Sequence, residues 1–249
     1  MKKRWLQLVN TFEANTRSSK VKMLRIANDH DSRLEAASSD PDILAMYTPF
    51  NAQRLIYQNL MAQYFSARNV SKGNTQLWEK SLDALATQWI NVWEGMGFNH
   101  YPKGTPEATT IFPQNKAPFQ SSRYDERMIA LEALQLTLAG YPLLSAVATD
   151  VAAKLVILQN ARSIQKEQFG KIDLASSKVE DQRLVLADLL DDDLCKLKVK
   201  YRSNMAMVEN FYDLSLLRQS VNDSDAYFQF SSAVEASATT AVAVPSRLM

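Results

Sequence analysis

From Ser176 to about Arg218 the chain runs without a proline or a glycine, and its apolar residues recur at steps of three, four or seven. They are Val179, Leu186, Leu190, Leu194, Leu197, Tyr201, Met205, Val208 and Tyr212. That period puts them on one face of an α-helix. A helix over the whole span is about 60 Å long at about 1.5 Å per residue. An apolar seam of that length leaves water only by packing against other long helices, which points to a bundle.

The same period recurs upstream. Trp78, Leu82, Leu85, Trp89, Val92 and Met96 are spaced 4, 3, 4, 3, 4, and Gly95 and Gly97 read as a stop. Residues 3 to about 36 carry Trp5, Leu8, Phe12, Met23, Ile26 and Leu34 on a weaker helical pattern. Asp40 followed by Pro41, and Thr48 followed by Pro49, each read as an N-cap with proline at the first helical position. Ser122 and Asp125 stand at capping-box spacing before another apolar run. Val147, Val151, Leu155, Leu158 and Ile164 mark one more helix. The chain has 6 glycines, whereas average usage would give about 17, so tight turns are few and elements long.

Two stretches break the pattern. Residues 98–121 hold four prolines among aromatics and read as an ordered loop, with Tyr101, Phe112 and Phe119 packing on the helices. In the tail from Asp223, "AYFQFSSAV" and "TTAVAV" alternate and favour aromatic and β-branched residues, the pattern of two short strands. The expected fold is all-α: an elongated antiparallel bundle of about six long helices over residues 1–222, then a short C-terminal β-hairpin in 223–249.

Four aspartates cluster within the long seam: Asp188, Asp191, Asp192 and Asp193. At about 100° per residue, with Leu190 as the core direction, they lie near 160°, 100°, 200° and 300°. Only Asp188 and Asp192, four apart, project together. A D-x-x-x-D pair is how squalene- and phytoene-synthase-like prenyl transferases hold Mg²⁺ against a substrate diphosphate, and Mg²⁺ favours such hard oxygen ligands. That chemistry needs a second acidic pair on a facing helix. Asp31 with Glu35 sits near a helix end, and Glu209 with Asp213 shares the helix of Asp188. Asp192 also precedes Lys196 by four, the order that favours a surface ion pair, and basic residues follow to Arg202. The solvated helix face is the preferred reading, so no cofactor or metal is expected and Asp188 and Asp192 stand as the metal alternative.

Other chemistries lack their residues. Two histidines, His30 and His100, cannot build paired Glu-x-x-His motifs, and positions 27 and 97 are Ala and Gly. Counting excludes a zinc site made of several His and Cys ligands. Cys195 lies mid-helix, away from a helix N-terminus that would activate it. No phosphate-binding glycine loop occurs. A net charge of +1 lacks the basic excess of a nucleic-acid binder. The apolar part of the N-terminus is shorter than a signal peptide's core, and the run 151–158 is too short to span a bilayer, so a cytoplasmic protein without a membrane span is expected.

The function expected is therefore non-enzymatic: a structural or interaction protein that self-associates or binds a protein partner. Tyr227, Phe228, Phe230, Val242 and Val244 of the tail are the candidate interaction residues, because a hairpin can lend its edge to another sheet. The alternatives are a Mg²⁺-dependent enzyme acting on a prenyl diphosphate and a membrane-active helical protein using residues 227–244.

Overall fold

A computed structural model describes residues 12–13, 19–121, 123–213 and 215–216, and among these residues the protein is all-α. Helix α1 is Ser19–Ala36 and α2 is Pro41–Ala84. A π turn, Leu85–Trp89, leads into α3, Ile90–His100. Helix α4 is Pro106–Ile111, a 3-10 turn covers Ala117–Gln120, and α5 is Tyr124–Leu138. A second 3-10 turn, Pro142–Leu144, opens α6, Ser145–Lys200. Helix α7 is the single turn Ala206–Glu209. The expected hairpin, with Tyr227, Phe228, Phe230, Val242 and Val244, lies outside the described residues.

The chain forms two compact units. One gathers the described residues up to Ala67 and from Asp173 onward; the other is Arg68–Ile172. In unit one, α2 begins as expected: Asp40 caps it by accepting from the Asp42 N–H at 2.9 Å, with Pro41 at the first position. The second cap signal does not start a helix, because Thr48 and Pro49 lie inside α2. Ile43, Met46, Phe50, Tyr57, Met61 and Phe65 are all buried in one core, so the apolar face continues through the proline. The Thr48 hydroxyl donates to the Leu44 carbonyl at 3.0 Å beside it.

Helix α6 supplies the facing seam. Val179, Leu186, Leu190 and Leu197 are buried as expected, but the helix ends at Lys200 rather than near Arg218. Val208, Phe211 and Tyr212 join the core through a turn and α7, and Met205 is exposed. The reversal is fixed by tertiary contacts: Tyr201 stacks on Phe211 at 5.9 Å, and the Tyr212 hydroxyl donates to the Leu190 carbonyl at 2.9 Å.

Unit two shows why a steady period can mislead. Trp78, Leu82 and Leu85 are buried as the stripe requires. The π turn then inserts one residue, and the buried positions become Ile90, Trp93 and Gly97, while Val92 and Met96 are exposed. A π turn leaves carbonyls without their usual helical donors. Gln120 Nε2 takes up the Ala86 carbonyl at 3.1 Å, and Arg127 Nη1 that of Leu82 at 3.3 Å. Residues 98–121 are thus no plain loop: α3 continues to His100, and α4 and a 3-10 turn bury Ile111, Phe112 and Phe119. The expected cap Ser122 lies outside the described residues; the N-cap position of α5 is Arg123, which makes no side-chain cap, and before it the Ser121 hydroxyl accepts the Arg123 N–H and donates to Glu126.

Gly95 and Gly97 do not stop α3, which ends where Pro102 follows an extended Tyr101. They differ in their surroundings. A Cβ on Gly97 would sit 2.6 Å from Phe112 Cε2, whereas one on Gly95 meets nothing within 4 Å. Gly97→Ala is expected to cost about 1–3 kcal/mol by overpacking. Gly95→Ala is expected to stabilise by up to about 1 kcal/mol through helix propensity. Urea midpoints of the two variants test this; equal effects would contradict the packing.

Candidate functional site

The aspartate cluster divides once α6 is in place. Asp188 and Asp192 are exposed, and Asp191 is partly buried. Asp193 is 2% exposed. Its Oδ1 accepts from Lys196 Nζ at 3.1 Å, and its Oδ2 lies 3.5 Å from His30 Nε2 on α1. The D-x-x-x-D pair therefore lies on the outer side of the helix, while the buried carboxylate, Asp193, is not part of it. Its angle near 300° is only about 60° from the core direction, and that was the available sign.

His30 is fully buried. Its ring stacks on Tyr212 with centroids 4.5 Å apart and meets Phe50 edge-on at 4.8 Å. Nδ1 lies 2.9 Å from the Phe211 carbonyl oxygen. Beside it, Asp31 is buried and pairs with Arg54 of α2 at 2.9 Å. Burial raises the Asp31 carboxyl above the ordinary carboxylate range, with the Arg54 charge opposing the rise. Burial likewise pushes up the hydroxyls of Tyr57 and Tyr212, the latter helped by Asp193. Tyr57 donates to the Lys20 carbonyl at 2.6 Å. Arg183, also buried, donates to the carbonyls of Phe12 and Glu13 and to Glu180.

This arrangement is a network that ties elements together. Acid–base catalysis would need a substrate atom within hydrogen-bond reach of the imidazole, and a ring with no exposed surface offers none. A carboxylate of each candidate second acidic pair is also engaged: Asp31 with Arg54 at 2.9 Å, and Asp213 Oδ1 by accepting the Ser215 N–H at 2.9 Å. Among the described residues no group of three His, Cys, Asp or Glu side chains is arranged to hold a metal ion.

An open cavity of about 590 Å³ lies where the start of α2 meets the end of α6. Asp42, Ala45, Met46, Cys195, Lys196, Val199 and Lys200 line it. The cysteine is exposed there. Lys200 is engaged by Asp40 at 2.8 Å and Asp42 at 2.6 Å. His100 is exposed at the end of α3, and Trp78 and Trp93 are core residues, with Trp93 Nε1 donating to Asp150 at 2.8 Å.

Helix Pro142–Lys200 contains an 18-residue stretch of mean hydropathy 1.4, long and apolar enough to cross a membrane by length and composition, with 28% of it buried. The run 151–158 is short alone, but the apolar stretch continues before it, across Asp150, into residues 142–149, which carry no charge. Core helices of soluble proteins pass the same test. Compared with family models, curated proteins and solved structures, the chain matches none.

Lys200 holds the Asp40 carboxyl below its ordinary range through a hydrogen bond, and the two aspartates hold the Lys200 ammonium above its own. The Asp40 contribution is present above the ordinary carboxylate range and is lost as pH falls through the lowered value. The Lys200 contribution is lost as pH rises beyond the ordinary lysine range. Lys200→Met is expected to return the Asp40 carboxyl toward its ordinary titration, read by carbon NMR of the side chain. An unchanged titration would show that the cap alone lowers it.

Proposed function

We propose that this chain is a non-enzymatic interaction protein, an antiparallel assembly of long helices that self-associates or binds a protein partner. The observation that carries the reading is the apolar exterior of α5 and the start of α6. Residues 128–149 contain one charge, Glu132. Ile129, Leu136 and Leu143 within them are 64%, 78% and 63% exposed. Scattered apolar residues are ordinary on a surface, but a stretch this poor in charge marks a face that another surface covers. In this reading the tail, with Tyr227, Phe228, Phe230, Val242 and Val244, is a second attachment element that adds its edge to a partner.

Absolute mass by light scattering tests the proposal. The full chain is expected to exceed its monomer mass of 28.1 kDa, and Leu136→Lys and a chain ending at Asn222 are expected to approach it. A strict monomer at high concentration that captures no partner protein would overturn the reading.

The apolar stretch of α6 favours one second reading, a membrane-active helical protein. It is expected to release dye from anionic liposomes, with Val156→Lys on the exposed side of α6 reducing release. Intact liposomes at high protein concentration would remove it. The Mg²⁺-dependent reading, with Asp188 and Asp192 as ligands, draws no comparable support.

A further inference from the structure

The contacts of His30 constrain where its protons lie. Nδ1 stands 2.9 Å from the Phe211 carbonyl, and a carbonyl oxygen only accepts, so Nδ1 carries a proton and donates it. A neutral ring protonated there has a bare lone pair at Nε2. That nitrogen faces Asp193 Oδ2 at 3.5 Å, and neither atom has a hydrogen-bond partner otherwise. The side chains are 0% and 2% exposed, so bulk water does not relieve the contact. Two lone pairs facing each other in such a place leave two buried polar atoms unpaired, which is unfavourable. One further proton between them satisfies both. The other oxygen of Asp193 accepts from the Lys196 ammonium, which makes the carboxylate the negative end and puts the proton on the nitrogen.

We propose that His30 and Asp193 form a proton-held clasp. A proton on Nε2 bridges to Asp193 of α6 while Nδ1–H holds the Phe211 carbonyl, so that one proton controls how firmly residues 204–213 pack on α1 and α6.

The groups around the ring are known from each packed element. On α1 the neighbour is Asp31, which Arg54 of α2 pairs. From α2 the ring itself meets Phe50. From α6 come Asp193 and, behind it, Lys196. After α7 come the Phe211 carbonyl and the Tyr212 ring. Asp193 is thus the charged group opposite Nε2. When the proton leaves to solvent, Nδ1–H stays on Phe211, and Asp193 Oδ2 is left buried against a lone pair. The clasp contributes where the proton is bound and weakens as pH rises past its release.

The test uses the full chain with nitrogen-15-labelled histidine, and His100→Gln assigns the two rings. At about pH 6, both His30 nitrogens are expected to resonate as protonated. In Asp193→Asn, one nitrogen is expected to lose its proton at the same pH. Amide exchange of residues 205–213, corrected for intrinsic rates, is expected to lose about tenfold in protection between about pH 6 and about pH 9 in the wild type and to stay level in the variant. An unprotonated Nε2 in the wild type at about pH 6 overturns the proposal, and so does protection that ignores pH. The wild-type spectra decide even if Asp193→Asn fails to fold.

Discussion

Burying the Asp193 carboxylate is the constraint around which much of unit one is arranged. A carboxylate taken out of water needs charge and hydrogen bonds brought to it. Lys196 comes from the next turn of the same helix, and His30 comes from α1. The histidine can reach it only if α1 lies against α6 in one register. Its other nitrogen then meets the Phe211 carbonyl, and its ring face is covered by Tyr212. Tyr212 in turn ties back to the Leu190 carbonyl, three residues before Asp193. A slip of one residue in any of these elements would strand the carboxylate. The apolar core of Ile26, Phe50, Leu186 and Leu190 would tolerate such a slip better, since dispersion contacts are not directional.

This division explains what could be read from the chain. Helix faces follow from periodicity because burial depends on phase alone, and Val179, Leu186, Leu190, Trp78 and Leu82 lie where the period puts them. Phase is lost where the backbone changes its own repeat. The π turn at Leu85–Trp89 shifts every later position by one residue, so Ile90 and Trp93 replace the expected Trp89 and Val92 inside. No residue type within "LATQW" announces that change. Its stabilising partners, Gln120 and Arg127, come from more than thirty positions downstream.

The buried network was legible only in part for the same reason. The wheel angle of Asp193 places it beside the seam, yet a carboxylate there reads as surface unless its partner is known. His30 lies 163 positions away, and pairing across that separation is decided by the fold. Charge order along the helix gave Asp192 with Lys196, whereas the lysine pairs with Asp193, three residues before it. Asp193 wins because burial strengthens its attraction, while the exposed Asp192 is screened by water.

The two threonine– or aspartate–proline steps of α2 show how local and global terms compete. Both satisfy the rule for a helix start, and only Asp40–Pro41 acts as one. At Pro41 the chain before it turns through Ala37–Asp40, so the cap closes a helix end that tertiary packing also wants. At Pro49 the residues on both sides, Met46 and Phe50, are core side chains of the same face. An interior proline costs about 3 kcal/mol. Breaking the helix there would pull one flank of the seam out of phase with the other, and each large side chain left exposed costs about 1.5–3 kcal/mol. Two such residues already match the proline, and α2 has six buried in the unit-one core, so the helix runs on.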